Sequence, residues 1–441
     1  MPGKNLSHPF FLFYRALWRM AKPFLKRHAR LSDGWQERIA SPHWLGSDFP
    51  QTEDGRRIDI WLQAASGGEA RLAEAICEQL APDIPMRMVI ATWTRQGREI
   101  ADAALLRLKK ALPLLHAATR FTPIDDPDCV SRALDEARPR VVALLETELW
   151  PGLMAACRDR DIPVIVLNGR LNRSTMRFKN FFPSLSRRIA PQKILAVSAE
   201  DCRRYGAMFR CTAESMPNIK FDLAMRSLDT PPEPLPLAGC FPAPVFLFAS
   251  VRHGEYRQLP RHFHAILNRR QGTVIIAPRH MHSAEGWQEL MEDLGFRVRL
   301  ASTLQEGKSL EAGTVVIWDR FGDLPRLYAL ASAVFVGGTI AQGGQNFLEP
   351  LSAGIEPFIG PSVENFSWAL SREPAQSPSL EEAGLVHMIK KPAEIIGSML
   401  DYAGKPLDRD AVRSRFRAWL AGRVGGAALA AGEIQRHIPR P

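Results

Sequence analysis

Short runs of β-branched and apolar residues alternate with helical stretches along nearly the whole chain, and one proline-rich interruption divides the series. The runs at 58–64, 87–91, 141–145, 163–167 and 193–197 are apolar at almost every position rather than at every second one. That pattern reads as strands buried on both faces. Helical periodicity over 69–80 and 98–112 separates them, and strands spaced by helices build βα units around a parallel sheet. The stretch 229–244 (DTPPEPLPLAGCFPAP) carries six prolines. These cannot sit inside a helix or a central strand, so the stretch is expected to be an interdomain linker. The alternation resumes at 245–249, 273–277, 314–318, 333–336 and 357–359. The expected fold is therefore α/β, with two Rossmann-like halves of roughly 180 residues each. Residues 46–228 form the first half and 245–405 the second. Residues 406–441 read as a basic helical segment broken near Gly425 and Gly426.

The formal charge of +10 suits anionic partners. Its distribution narrows the choice. Seven Lys or Arg and no acidic residue fall within the first 32 positions, and no RNA-binding motif or aromatic-basic repeat accompanies the excess. Nucleic acid is accordingly not expected as a partner. The six cysteines form no CxxC pair and have no His cluster at zinc spacing. Reduced thiols in the cytoplasm and the absence of a metal site are the expectation.

The first 45 residues hold the most unusual composition. Within 8–25 (HPFFLFYRALWRMAKPFL), Arg15, Arg19 and Lys22 interrupt the roughly 20 apolar residues that a membrane span requires. No small-residue cleavage site follows. The three cations share one helical face, with Phe10, Phe11, Phe13, Trp18, Phe24 and Leu25 around the rest. This mixture predicts a helix lying on an anionic membrane surface. The plainer alternative is a helix whose apolar side packs on its own domain.

Candidate chemistry gathers where strands end. Ser66, Gly67, Gly68 and Glu69 follow the first strand, at the carboxyl edge where open α/β sheets bind ligands. Glu69 either carries a catalytic role or simply serves as a helix N-terminal carboxylate. Glu146 and Glu148 follow the strand 141–145 in E-T-E-L-W-P, and the less solvated of the two should have a raised pKa. In the second half, Ser250 through Glu255 follow one strand, and Arg279 and His280 the next. Gly337, Gly338, Gly343 and Gly344 then allow backbone amides to approach an anion, with Gln345, Asn346 and Glu349 at the start of a helix. Arg279 and Lys220 are candidates to assist such a phosphate site.

Together these stretches resemble the Kdo (3-deoxy-D-manno-octulosonic acid) transferases, inverting glycosyltransferases of the GT-B fold. Ser66-Gly-Gly-Glu69 is similar to the family's S-V-G-E loop, and E-T-E-L-W-P stands intact at 146–151. Asn168-Gly-Arg-Leu171, Asn218-Ile-Lys-Phe-Asp222, Pro278-Arg-His280 and Gly343-Gly-Gln-Asn-Phe-Leu-Glu-Pro350 follow in the family's order. The resemblance implies two Rossmann-like domains with a cleft between them, CMP-Kdo as donor and a lipid A precursor as acceptor. It further implies Glu69 as general base and Glu146 as a residue positioning a sugar. Ser66, Gly68, Lys220, Ser250, Arg279, His280, Gly337, Gly338, Gly343, Gly344, Gln345, Asn346 and Glu349 would contribute to substrate and nucleotide binding. No cofactor or metal is implied. The aromatic, basic N-terminus resembles the family's membrane-attachment segment and places the protein at the cytoplasmic face of the inner membrane. Gln345 stands where the family has His, Gly67 where it has Val, and Pro217 where it has Gly. Trp93 and Arg95 replace a Thr-rich turn. These departures keep open a GT-B transferase with another donor or acceptor, beside a non-catalytic binding protein suggested by charge alone.

Overall fold

A computed structural model of the chain describes residues 5–28, 31–41, 43–47, 49–50, 55–80, 84–171, 176, 183–256, 258–260, 263–269, 272–340, 343–372 and 377–438. The chain forms two compact units, Met1–Leu223 with Val424–Pro441, and Ala224–Arg423.

The first unit is built on a seven-stranded sheet of β1 (Ile60–Gln63), β2 (Met86–Thr92), β3 (Leu115–Phe121), β4 (Val141–Leu145), β5 (Val164–Gly169), β6 (Lys193–Ala196) and β7 (Glu214–Ser215). Its order is β3-β2-β1-β4-β5-β6-β7, and all pairings are parallel. Successive strand residues feed two separate cores. Trp61, Val142, Leu144 and Val166 join one cluster, while Ile60, Leu62, Ala143, Leu145 and Ile165 join the other. A strand that must satisfy cores on both faces has to be apolar throughout, which explains the continuous runs.

The second unit repeats the plan with β8 (Val245–Val251), β9 (Thr273–Pro278), β10 (Arg297–Leu300), β11 (Thr314–Ile317), β12 (Ala333–Val336), β13 (Phe358–Ile359) and β14 (His387–Met388). The order is β10-β11-β9-β8-β12-β13-β14, again parallel. In each sheet the first strand lies between neighbours whose connections run in opposite directions. The crevice for ligands therefore forms beyond the carboxyl ends of β1 and β4, and of β8 and β12.

The unit boundaries differ from those expected. The chain passes between units at 223/224, inside the helix Ile219–Asp229, and the proline-rich stretch belongs wholly to the second unit. Leu235, Leu237 and Phe241 between its prolines are buried, so it packs rather than bridges. The terminal segment also divides. Helix Arg409–Leu420 lies in the second unit, while Gly426–Gln435 lies in the first. Asp222 fixes that return by accepting the amides of Gly425 at 2.8 Å and Gly426 at 3.1 Å. A Cβ on Gly426 would lie 2.2 Å from the Pro217 carbonyl oxygen, so only glycine fits this approach.

Near the N-terminus, helix Pro9–Leu25 turns Arg15 and Lys22 inward and leaves Arg19 exposed. Arg15 pairs with Asp128 at 3.2 Å and Lys22 with Asp126 at 2.7 Å, while Phe10 and Phe11 are buried beside them. The outward face is apolar: Leu12, Phe13, Leu17, Met20 and Phe24 are exposed, Phe24 by 77%. The basic face expected to meet a membrane is thus largely spent on acids of the same unit. Among the described residues, no helix is long and apolar enough to cross a membrane.

Candidate active site

In the first unit, the chain leaves β1 and starts the helix Gly67–Gln79 with Ser66 at its N-cap. The Ser66 amide donates to Glu69 Oε2 at 2.8 Å, and the Ser66 hydroxyl donates to the same carboxylate. This is a capping box, in which the third helical residue reaches back to the cap. Gly68 is exposed in the first turn. A side chain at Gly67 would meet Ile100 Cδ1 at 2.8 Å, so the glycine here accompanies a bulky neighbour. Glu69 is half-buried. Burial, and then the negative charge of Glu146, hold its carboxyl above the usual carboxylate range.

Glu146 leaves β4 with φ of +52°, a left-handed conformation unusual for a residue with a side chain. The Tyr205 hydroxyl donates to its carbonyl at 3.0 Å. The buried carboxylate receives Lys220 Nζ at 2.6 Å and Arg170 Nη1 at 3.4 Å. Burial alone opposes its charge, yet Lys220 and Arg170 together hold the carboxyl below its ordinary value. Lys220, expected at a phosphate, has its ammonium on Glu146 in this structure.

Glu148 takes the opposite course. Burial pushes it up to about 7, with the Glu69 charge adding to the effect and the Trp150 indole N–H opposing it from 2.7 Å. Both local cations went to Glu146, so the raised pKa falls on Glu148, the more solvated acid of the pair, and the expectation that the less solvated one would be raised is reversed. Trp150 stacks on Trp93 with ring centroids 5.3 Å apart, and the Trp93 amide donates to Ala65 beside the Ser66 turn. Arg170 was not among the expected site residues, whereas Glu148 was read with Glu146 as one of a pair. The signal for Arg170 was its place in N-G-R-L, directly after β5.

In the second unit, Ser250 carries φ of +55° at a bulge between β8 and β9. Glu255 then caps the turn, accepting the Arg252 amide and, from the β12 loop, the Gly338 amide, each at 2.8 Å. Gly337 is required by contact: a Cβ there would lie 2.5 Å from Val251 Cα. The amides of Gly343 and Gly344 were expected to face an anion, and here the structure corrects the reading. Gly343 donates to Ser362 Oγ at 2.9 Å and Gly344 to the Gly338 carbonyl at 2.8 Å. These glycines shape the turn and spend their amides within it. The helix that follows, Leu348–Ser352, has one turn only.

Two side-chain cations stand at the same strand ends. Arg279 follows β9, and desolvation together with the neighbouring Arg252 cation lowers its pKa, while Glu349 nearby opposes the shift. Arg252 was not among the expected site residues, although the basic loop after β8 signalled it. Gln345 lies against Gly338 close to Arg252, and Asn346 Nδ2 donates to Glu349 Oε1 at 3.0 Å. His280 stacks on His282 with centroids 5.4 Å apart. A cavity beyond β8, β9 and β11 is lined by Ser250, Arg279, Trp318, Arg320 and Phe321, among others. Among the described residues, no group of three or more His, Cys, Asp or Glu side chains is placed to hold a metal ion.

The chain is similar to known proteins along most of its length. Residues 33–223 match the family model for 3-deoxy-D-manno-octulosonic-acid transferase (kdotransferase). The 3-deoxy-D-manno-octulosonic acid transferase of Bordetella pertussis is 26% identical over 442 residues, covering 94% of this chain and 96% of that protein. The enzyme of the same name from Haemophilus influenzae is 26% identical over 319 residues, covering 70% of this chain and 71% of its own length. A solved glycosyltransferase from Rickettsia africae shares the fold with a TM-score of 0.51 at 10% identity, covering 87% of this chain and 100% of that one. Two parallel α/β units of this topology share the GT-B fold, and the likeness to Kdo transferases makes the chain a glycosyltransferase of that fold. Within that class, residues 33–223 match the Kdo transferase family model, and the chain is similar to Kdo transferases along most of its length.

Proposed function

We propose that this enzyme moves Kdo from CMP-Kdo to a hydroxyl of a lipid A precursor, with inversion at the anomeric carbon. The observation that carries the reading is the placement of Glu69, a half-buried carboxyl with a raised pKa, beside the Glu146 carboxylate that Lys220 and Arg170 hold charged. Both acids occupy positions matching the family's motifs.

In this scheme the acceptor O–H gives its proton to Glu69 as its oxygen attacks the anomeric carbon and the bond to CMP breaks. Base catalysis of this kind contributes about 10²–10⁴-fold. Glu146 fixes Lys220 and Arg170 and sets the field around Glu69. In the second unit, Arg279 and Arg252 stabilise the charge that develops on the departing phosphate, and Glu349 binds a ribose hydroxyl. The scheme calls for no metal.

The outward apolar face of helix Pro9–Leu25, with Arg19, Lys26 and Arg27 exposed around it, supports attachment to the cytoplasmic face of the inner membrane. One experiment tests both parts. The protein is incubated with CMP-Kdo and a lipid A precursor, in vesicles or in detergent, and products are resolved by mass. A Kdo-bearing product is expected. Exchanging Phe13 and Phe24 for Ser should slow the reaction in vesicles by at least about tenfold, given roughly 1.5–3 kcal/mol per buried side chain. Transfer from a UDP-sugar but not from CMP-Kdo would reject the donor. Equal rates for the double variant in both settings would reject the membrane face.

A further inference from the structure

Helix Pro151–Arg158 begins directly after Glu148 and Trp150, and its own sequence leaves its start uncapped. Trp150 occupies the N-cap and has no side-chain oxygen to accept an amide. Pro151 at the first helical position has no N–H, which leaves the amides of Gly152 and Leu153 to be satisfied from elsewhere. Asp125 supplies the missing acceptor. Its Oδ2 takes the Gly152 amide and its Oδ1 the Leu153 amide, each at 2.8 Å. Glycine makes the approach possible, because a Cβ at Gly152 would lie 2.5 Å from the Asp125 carbonyl oxygen.

The same carboxylate is held from a second side. The Tyr14 hydroxyl of helix Pro9–Leu25 donates to Asp125 Oδ2 at 2.8 Å. Lys22–Asp126 and Arg15–Asp128 flank that contact and fix the register of the helix. Asp125 is 1% exposed, so water cannot replace a lost partner without opening the structure. A continuous set of bonds therefore runs from the helix with the outward apolar face, through Tyr14 and Asp125, to the helix start. There Trp150 holds Glu148 at 2.7 Å and stacks on Trp93.

We propose that Asp125 is a positioning residue that ties helix Pro9–Leu25 to the Glu148–Trp150 loop, so that the N-terminal helix sets the geometry of the site as well as attaching the enzyme. Its effect on turnover rests on the function proposed above; the structural tie does not. The helix is then no exchangeable anchor. An unrelated membrane anchor in its place would bring the protein to vesicles and leave the loop without its brace.

The test uses Tyr14→Phe, which removes one hydroxyl and keeps the ring packed against Phe10 and Trp18. Vesicle flotation should stay at the wild-type level, because Leu12, Phe13 and Phe24 are untouched. Amide exchange at Gly152 and Leu153 should quicken by about tenfold, the factor that one net hydrogen bond supports. In turnover, kcat should fall by a similar factor while KM for CMP-Kdo moves less than about twofold. Unchanged exchange at 152–153 overturns the tie. Faster exchange with unchanged kcat leaves Asp125 a merely structural residue and overturns its positioning role. If wild-type protein transfers no Kdo, the function proposed above fails, yet the exchange measurement still decides the tie. Asp125→Asn provides a second, stronger variant, since an amide cannot accept from all three donors.

Discussion

Behind the first strand of each sheet lies a turn ending in Gly-Glu, at 66–69 after β1 and at 252–255 after β8. In both, the glutamate folds back onto the amide three residues earlier at 2.8 Å. Their surroundings then part them. Glu255 is 1% exposed, and its second oxygen takes the Gly338 amide from the β12 loop. Burial raises its pKa, and the backbone amides of Gly338 and Arg252 pull it back. Glu69 is half-buried, and across from it β4 delivers Glu146, whose charge adds to the effect of burial. One local spacing thus builds one local turn twice. What the neighbouring strand brings decides the outcome: an amide ties up the second oxygen of Glu255, while the Glu146 carboxylate holds the pKa of Glu69 up, as the proposed base role requires.

The comparison can be broken by stability first. Glu255→Ala leaves a buried amide, Gly338, and a part-buried one, Arg252, without their acceptor and should cost about 3 kcal/mol. Glu69→Ala removes an exposed-side cap and should cost about 1 kcal/mol. Denaturant unfolding of both variants reads the difference, and equal losses would show that the two turns do the same work. A smaller effect sharpens the electrostatic half. Glu69 must be ionised to act as a base, so activity rises with pH through its pKa. Lys220 lowers that pKa and Glu146 raises it. Lys220→Met should therefore move the acid limb of the kcat/KM profile to higher pH, and Glu146→Gln should move it to lower pH. Shifts in the same direction would contradict the assignment of Glu69 as the titrating base.

The strands legible in sequence and those that were not differ in position. Every run read as a strand lies inside a sheet, while β3, β7, β10 and β14 went unread and are the four edges. An interior strand such as Val141–Leu145 serves a core on each face and is apolar at every residue. An edge strand such as Arg297–Leu300 is solvated on part of its surface, and its Arg-Val-Arg-Leu alternation is too short to stand out from a loop.

The site shows a similar division. Glu69 and Glu146 could be found because each sits in a motif at a strand end. The choice between Glu146 and Glu148 could not be made, because it depends on Lys220, 74 residues further along the chain. The inward turn of Arg15 and Lys22 likewise depends on Asp126 and Asp128, over 100 residues away. The amides of Gly343 and Gly344 looked available because sequence shows the glycines and hides Ser362 and the Gly338 carbonyl that occupy them.

The proposed division of labour between units, with the base in the first and the nucleotide cations in the second, meets its most direct test in one pair of variants. CMP binding by calorimetry and single-turnover transfer from CMP-Kdo are measured for Glu69→Gln and Arg279→Met. Glu69→Gln should bind CMP as the wild type does and lose about 10²–10⁴-fold in the transfer step. Arg279→Met should weaken CMP binding by roughly tenfold or more, as expected for a lost charge-assisted bond. Near-wild-type transfer by Glu69→Gln, or undiminished CMP affinity in Arg279→Met, would contradict this division.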